Sequence, residues 1–419
     1  MAKKKNAGRT GSKGSKGKTA RTSKSYDTGK NGYRQTSVKN TAGHTGKKKK
    51  KRRRRRIGKI IFLILEILVI LVLIAGLYIW SKLDELNRTT VDETSVGISE
   101  EIDEELVQGY TNIALFGLDT RDSDASLATG RSDTIMVVSI NNDTSEIRMI
   151  SVYRDTYLGI DDGEGNLSYK KANSAYASYG AEGAIRMLNQ NLDLDITDYV
   201  TVDFYALVEV VDLMGGVELE ITEAEAEVIN KWIDATSEIV GVESSHISGA
   251  GTYVCDGVQA TAYCRIRSTS GGDFTRAQRQ RKVLAQLFKS ARSSSLSTLN
   301  SVIDAVLPDV ETSLSNAEIL SLASRLVNYS LADTSGFPFD LTTATYDTVG
   351  SVDVPCTLAT NVTQLYEFFF EEEDYEPSST VQNISYTIIM NTGIYEDDAV
   401  DYGIEDDELA DESETDTEE

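Results

Sequence analysis

The sequence predicts an α/β protein: a layered α-β-α ectodomain with a central mixed sheet, preceded by one transmembrane helix and a disordered basic tail. Three observations predict it. Ten consecutive basic residues, Lys47 to Arg56, run straight into an apolar stretch from Ile57 to Trp80. From Thr111 onward, short strand-like runs alternate with segments of helical spacing, which is the pattern of layered α/β folds. The first 56 residues are rich in Gly, Ser and Thr with almost no apolar residues, so they have nothing with which to build a core.

Residues 1–56 are therefore expected to be a disordered basic cytoplasmic tail, and residues 57–80 a transmembrane helix of the signal-anchor kind. About 20 apolar residues suffice to cross a bilayer, and a Lys/Arg block keeps its own flank in the cytoplasm. A cleaved signal core is shorter and ends at small residues, whereas this run ends in Tyr78-Ile79-Trp80, an aromatic end suited to the membrane interface. Lys59 can snorkel, and Glu66 is tolerable at a helix–helix contact. The reading is a single-pass cell-membrane protein with a cytoplasmic N-terminus and an extracellular C-terminal part, working without ATP. Charge is split accordingly. Residues 1–59 hold 23 Lys/Arg and one acid, Asp27, while residues 81–419 hold 19 Lys/Arg and 64 Asp/Glu. The basic tail suits anionic membrane lipids; tethering makes a nucleic-acid partner unexpected.

Residues 81–107 are polar and acidic, an extracellular stalk. A folded domain is expected over 108–393, with its motifs within 111–290. Thr111–Gly117, Thr134–Ile140 and Glu146–Val152 read as strands, the last two joined in a hairpin by the turn residues Asn141-Asn142-Asp143-Thr144. Helical spacing runs from Lys171 to Leu192, with Gly180 and Gly183 as points of division. Tyr199–Phe204 reads as a strand, Tyr205–Met214 as a helix stopped by Gly215-Gly216, and Val217–Ile221 as a strand. Glu223–Ile233, Asp256–Ala262, Arg276–Ser290, Ala317–Tyr329 and Thr363–Glu371 read as helices. Asp340–Tyr346 and Val381–Met390 look strand-like. The last 24 residues contain 14 acids and no base, so 394–419 reads as a disordered acidic tail.

Cysteines number three. Cys255 with Cys356 is a plausible bridge outside a cell, and Cys264 is expected to face the core. The two histidines, His44 and His246, set aside Ser-His-Asp catalysis and His-rich metal sites.

Arginine is concentrated where the domain is otherwise acidic. Arg265, Arg267, Arg276, Arg279 and Arg281 fall within 17 residues. Read as a strand, Tyr263-Cys264-Arg265-Ile266-Arg267 puts both arginines on one face. After a Gly-rich turn, Arg276, Arg279 and Gln280 share one side of a helix. Guanidinium forks match phosphate oxygens, so convergence of these groups points to a polyanion; taken singly, each would read as a surface ion pair. Asp119, after the first strand, and Asp133, before the second, sit at strand ends. Two carboxylates there suit a hard cation such as Mg²⁺, although turn-capping is the common role of such residues. Arg131 precedes the second strand with Asp133, and Arg154 stands at the end of the third.

These segments together resemble the LytR–CpsA–Psr family. The matching pieces are GLDTR at 117–121, RSDT at 131–134, ISVYRDT at 150–156 and KKANSAYASYG at 170–180, followed by LVEVVDLMGGVELEI at 207–221, GVQATAYCRIR at 257–267 and DFTRAQRQ at 273–280. Order and spacing agree over roughly residues 108–290. The resemblance implies a phosphotransferase of Gram-positive cell-wall biogenesis. It would move a glycopolymer, teichoic acid or capsular polysaccharide, from a polyprenyl-pyrophosphate carrier to peptidoglycan, forming a phosphodiester. It also implies Mg²⁺ or Mn²⁺ held by Asp119 and Asp133, and pyrophosphate binding by Arg131, Arg154, Arg265, Arg267, Arg276 and Gln280. Catalysis would fall to Arg154, Arg265, Arg267 and Asp133, and an apolar tunnel between sheet and helices would take the polyprenyl chain. The long acidic tail departs from the motifs.

Three rival readings start from the same features. Water in place of peptidoglycan would make the protein a hydrolase of polyprenyl-pyrophosphate glycans. A non-catalytic membrane-bound regulator, a transcriptional attenuator, predicts steeply salt-dependent DNA binding by residues 1–56. A purely structural wall anchor leaves the arginine concentration without a purpose.

Overall fold

The computed structural model describes residues 87–403, except 93, 120–126, 128–129 and 307–308. Every described residue lies in one compact unit, 71–419. The expected basic tail and transmembrane helix lie outside the described residues, as do 81–86 and 93 of the expected stalk; the rest of that stalk is described, and Val96, Ile102 and Val107 are buried in it. Among the described residues no helix is long and apolar enough to cross a membrane.

The strands in chain order are β1 Asn87–Arg88, β2 Tyr110–Leu118, β3 Ser132–Asn141, β4 Glu146–Val152, β5 Tyr157–Asp161, β6 Leu167–Lys171, β7 Asp198–Val202, β8 Val217–Ile221, β9 Gly251–Cys255, β10 Val310–Thr312, β11 Ser330–Phe337, β12 Leu341–Tyr346 and β13 Gly350–Pro355. A seven-stranded sheet runs β1-β10-β7-β2-β3-β4-β11. It is mixed: β2 pairs with β3 antiparallel and with β7 parallel, and β11 joins β4 parallel. The pairs β5–β6, β8–β9 and β12–β13 form separate two-stranded ribbons.

Alternation along β2 and β3 gives each face of the sheet its own cover. Ala114, Phe116, Ile135 and Val137 pack with the helices Asn173–Leu192, Leu358–Phe370 and Ser379–Thr392 in the largest core cluster. Ile113, Ile140 and Ile147 form a cluster on the other face with Phe288 of the long helix Gly272–Ser293. A further apolar cluster joins the helices Phe204–Leu213, Glu223–Val240 and Gly257–Cys264 to the β8–β9 ribbon. The expected layered α/β architecture with a central mixed sheet is what the molecule has.

Three expectations are corrected. Tyr263-Cys264 closes a helix, Gly257–Cys264, and Arg265 to Gly271 form the turn that follows. A capping box between Asp256 and Gln259 starts that helix, and its side chains are buried all round, so the two-residue alternation read there has no strand to serve. The strand-like Val381–Met390 is the helix Ser379–Thr392, capped by Ser378, with Val381, Ile384, Ser385 and Ile388 buried at helical spacing. Cys255, Cys264 and Cys356 are all free and buried, so Cys255 and Cys356 form no bridge; Cys264 faces the core as expected. The helix at 173–192 is interrupted at Gly180, whose φ of 65° and ψ of −163° are non-helical. Residues 394–403 are held against the domain: Val400 donates to the Leu341 carbonyl, and Tyr402 packs on Phe274 with ring centroids 5.0 Å apart.

Candidate active site

The site forms at the ends of β2, β3 and β4 and the start of the helix Gly272–Ser293. At its centre is Asp133, the second residue of β3. Its Oδ1 accepts from Arg154 Nη1 at 2.9 Å and its Oδ2 from Arg267 Nη2 at 2.8 Å, while its carbonyl accepts from Arg276 Nη2 at 3.0 Å. A second carboxylate, Asp273, interleaves with the same three arginines. It lies 2.9 Å from Arg276, 3.3 Å from Arg154 and 3.6 Å from Arg267. Asp155 completes the ring, 3.7 Å from Arg154 and 3.0 Å from the Lys171 ammonium. Four sequence-distant segments thus deliver one cluster of charge.

Electrostatics differ from group to group. Burial would raise the Asp133 carboxyl, but Arg154, Arg276 and Arg267 outweigh it and hold that carboxyl below the ordinary range. Burial likewise works against the Arg154 charge, yet Asp273, Asp133 and Asp155 leave it firmer than an ordinary arginine. Arg276 goes the other way. It is 3% exposed, and burial, with Arg267 and Arg154 beside it, pulls its guanidinium down to about 10 against the opposing Asp273 and Asp133. Its Nε and Nη1 have no hydrogen-bond acceptor. Buried donors left unmet are costly, and an arriving anion would satisfy them.

Two cavities meet at this cluster. One, of about 270 Å³, lies against the sheet and the helix Gly272–Ser293, with Leu115, Met136, Leu207, Val283 and Leu287 in its walls. Arg265, Arg267, Arg276 and Gln280 stand along the same cavity. The other, about 930 Å³, is polar and is lined by Arg131, Arg154, Asp155, Tyr169, Lys171 and Asn173, among others. Asp119 and Asp133 line both. The register of β2 against β3 shifts between Gly117 and Leu118, and such irregularities re-aim side chains beside sites. Gly117 permits the close pairing here: a Cβ on it would stand 2.9 Å from Thr134 Cβ.

Of the residues expected at the site, Asp133, Arg154, Arg267 and Arg276 converge directly. Arg131 is exposed and lines the polar cavity. Thr120 and Arg121 of the GLDTR piece lie outside the described residues. Arg265 takes other partners: it caps the end of the helix Gly257–Cys264, whereas Arg267, two residues on in the turn, reaches Asp133. The Arg265 guanidinium lies 4.9 Å from the Phe204 ring and 5.1 Å from the Trp232 ring, and its Nη1 donates to Thr236 at 3.0 Å. Among the described residues the Gln280 side chain donates to the Cys264 carbonyl, at 3.5 Å. Arg279, expected beside Arg276, is turned away and pairs with buried Glu225 at 2.7 Å. Sequence reasoning missed Asp273, Asp155 and Lys171 as members of the cluster. All three stand within quoted motifs, and Asp155 and Asp273 lie within three residues of an arginine that was singled out, whereas Lys171 has no such neighbour in the sequence.

The LytR_cpsA_psr family model matches residues 76–352. A Bacillus cereus protein named polyisoprenyl-teichoic acid–peptidoglycan teichoic acid transferase TagU is 30% identical over 213 residues, 50% of this chain and 63% of that protein. The protein of the same name from Halalkalibacterium halodurans is 33% identical over 205 residues, 48% of this chain and 60% of that one. The chain spans about three fifths of the length of these curated relatives. A crystal structure from Enterococcus faecalis, described as the transcriptional regulator EF0465, shares 25% identity at a TM-score of 0.52, over 72% of this chain and 100% of that one.

Proposed function

The chain belongs to the LytR–CpsA–Psr family, and on that premise we propose that it transfers a glycopolymer of the teichoic acid or capsular type from a polyprenyl-pyrophosphate carrier to peptidoglycan. One observation carries the reading: a cluster of three guanidiniums, with buried donors unmet, stands where an apolar cavity and a polar cavity meet. A lipid-linked glycan has that partition, an isoprenoid at one end, a saccharide at the other and a diphosphate between. The TagU relatives are named for such a transfer.

In the proposed reaction an acceptor hydroxyl attacks the glycan-bearing phosphorus and gives up its proton to solvent, and the bond to the bridging oxygen breaks, releasing the lipid phosphate. The chain's contribution is positioning and charge. Arg154, Arg267 and Arg276 leave their pairing with Asp133 and Asp273 for the phosphate oxygens, and hold charge as it shifts toward the leaving group. Arg265 and Gln280 border the apolar cavity from beside the cluster, and Arg131 borders the polar one. Mg²⁺ or Mn²⁺ fits the donor set. Such ions take one or two carboxylates and complete their shell with phosphate oxygens and water, and Asp119 and Asp133 both reach the junction of the cavities. When bound, the ion would neutralise diphosphate charge. Residues 1–56 inside the cell and 57–80 across the membrane would place the site at the outer face, where lipid carrier and peptidoglycan are both within reach.

The test is to incubate the full chain in detergent with lipid-linked polymer, with and without peptidoglycan. Polymer covalently joined to peptidoglycan is the expected result. Release of polymer at the same rate whether or not peptidoglycan is present would make the protein a hydrolase instead.

A further inference from the structure

Behind the arginine cluster stands a carboxyl group that the mechanism above does not use. Asp353, on β13, is 7% exposed, and its Oδ2 has no hydrogen-bond partner. Its strand is bridged in parallel to Thr156, and its backbone N–H donates to the Asp155 carbonyl at 3.0 Å. The segment carrying Arg154 and Asp155 is thereby fixed to β13. The charged groups facing Asp353 are Asp155, Asp273, Lys171 and Arg154, drawn from the end of β4, the helix Gly272–Ser293 and β6. A buried carboxylate with one oxygen unsatisfied, set beside two other carboxylates, is costly to keep ionised. Burial first, then Asp155 and Asp273, push the Asp353 carboxyl up to about 7, with Lys171 and Arg154 opposing.

The surrounding charges give this group a consequence for binding. Four acids, Asp133, Asp155, Asp273 and Asp353, face four bases, Arg154, Lys171, Arg267 and Arg276. With all eight ionised these groups sum to zero formal charge. One proton on Asp353 leaves a net positive charge, and of the four acids Asp353 is the one whose charge is least supported by partners. An anion on Arg154 adds negative charge close to Asp353 and makes its ionised form costlier still.

We propose that Asp353 is a positioning residue of this site, a buried carboxyl that takes up a proton when an anionic diphosphate occupies the arginine cluster and so lets Arg154 and Lys171 turn to that ligand. This rests on the diphosphate reading given above. The sign follows from linkage. A group that binds its proton more tightly in the complex makes affinity fall as pH rises past its value in the free protein.

The experiment is calorimetric titration of the full chain in detergent micelles with farnesyl diphosphate, for wild type and Asp353→Asn, at several pH values. The two are expected to bind equally at about pH 6, and the variant about tenfold more tightly at about pH 8, one pH unit of a single proton being worth a factor of ten. Wild type alone, in buffers of different ionisation heat, is expected to take up protons beyond those of the ligand's own titration near about pH 7.5, which keeps the idea testable if the variant does not fold. Binding with a constant affinity ratio across this range, or no such uptake by wild type, overturns the role of Asp353 and leaves the diphosphate site standing. No saturable binding by wild type overturns the diphosphate site, and this inference with it.

Discussion

Arg154→Ala should lower polymer transfer by about a thousandfold or more, the scale of an arginine that stabilises phosphoryl-transfer charge, while the chain still unfolds cooperatively. Arg154 touches Asp133, Asp155 and Asp273 and so is the hub of the cluster. Its loss leaves Asp133 paired with Arg267 and Arg276, so the carboxylate at the centre of the site is not orphaned. Arg154→Lys should recover only a small part of the activity. An ammonium restores the charge but not the fork that meets Asp133 through Nη1 and Asp273 through Nε. Turnover with lipid-linked polymer, read beside a melting curve, checks both. Near-normal turnover by the Ala variant would remove the cluster from the chemistry.

Arg279→Ala should produce the largest stability loss, about 3–5 kcal/mol, as when one partner of a buried ion pair is removed. Arg279 is 6% exposed. Besides Glu225 it holds the Ile266 carbonyl at 3.1 Å and Thr269 Oγ1 at 2.6 Å, so it staples the turn that carries Arg265 and Arg267 onto its own helix. Burial would raise the Glu225 carboxyl, but hydrogen bonds from Arg279 and Thr222, with the Arg279 charge, bring it below the ordinary range. A carboxyl depressed by folding gives stability that is present above its unfolded value and lost as pH falls through its folded one. In the variant, Glu225 is buried without its cation and its folded value rises instead. The gap between wild type and variant should therefore be widest near neutral pH and narrow toward about pH 4, where the carboxyl is protonated in the unfolded chain as well. Denaturant unfolding at several pH values measures it.

Much of this architecture can be read from the chain because its alternation and turn chemistry agree. β4 has the boundaries expected from Glu146–Val152, and the Asn141–Thr144 turn joins it to β3 as a hairpin. What failed to read was of two kinds. Short apolar runs do not declare their period: Tyr-Cys-Arg-Ile-Arg alternates, yet the capping box at Asp256 and burial on every side make its start a helix. Val381–Met390 is rich in β-branched residues, yet its buried set steps by three and four. The second kind is partnership across the fold. Nothing local to Asp273, Asp155, Lys171 or Asp353 says that they meet, since β6 and β13 belong to ribbons separate from the central sheet and meet the helix Gly272–Ser293 only in the folded domain. Arg279 shows the converse, an arginine in the densest motif whose partner is a structural glutamate.

The central claim is that a membrane-derived diphosphate binds where Asp133 gathers Arg154, Arg267 and Arg276, with its hydrocarbon in the apolar cavity beside them. A crystal structure with an isoprenoid diphosphate bound tests this most directly. The expected result is phosphate oxygens within about 3 Å of those guanidiniums and the chain running past Leu115, Val283 and Leu287. A ligand whose phosphates lie away from the three arginines, with its hydrocarbon outside that cavity, would contradict the account.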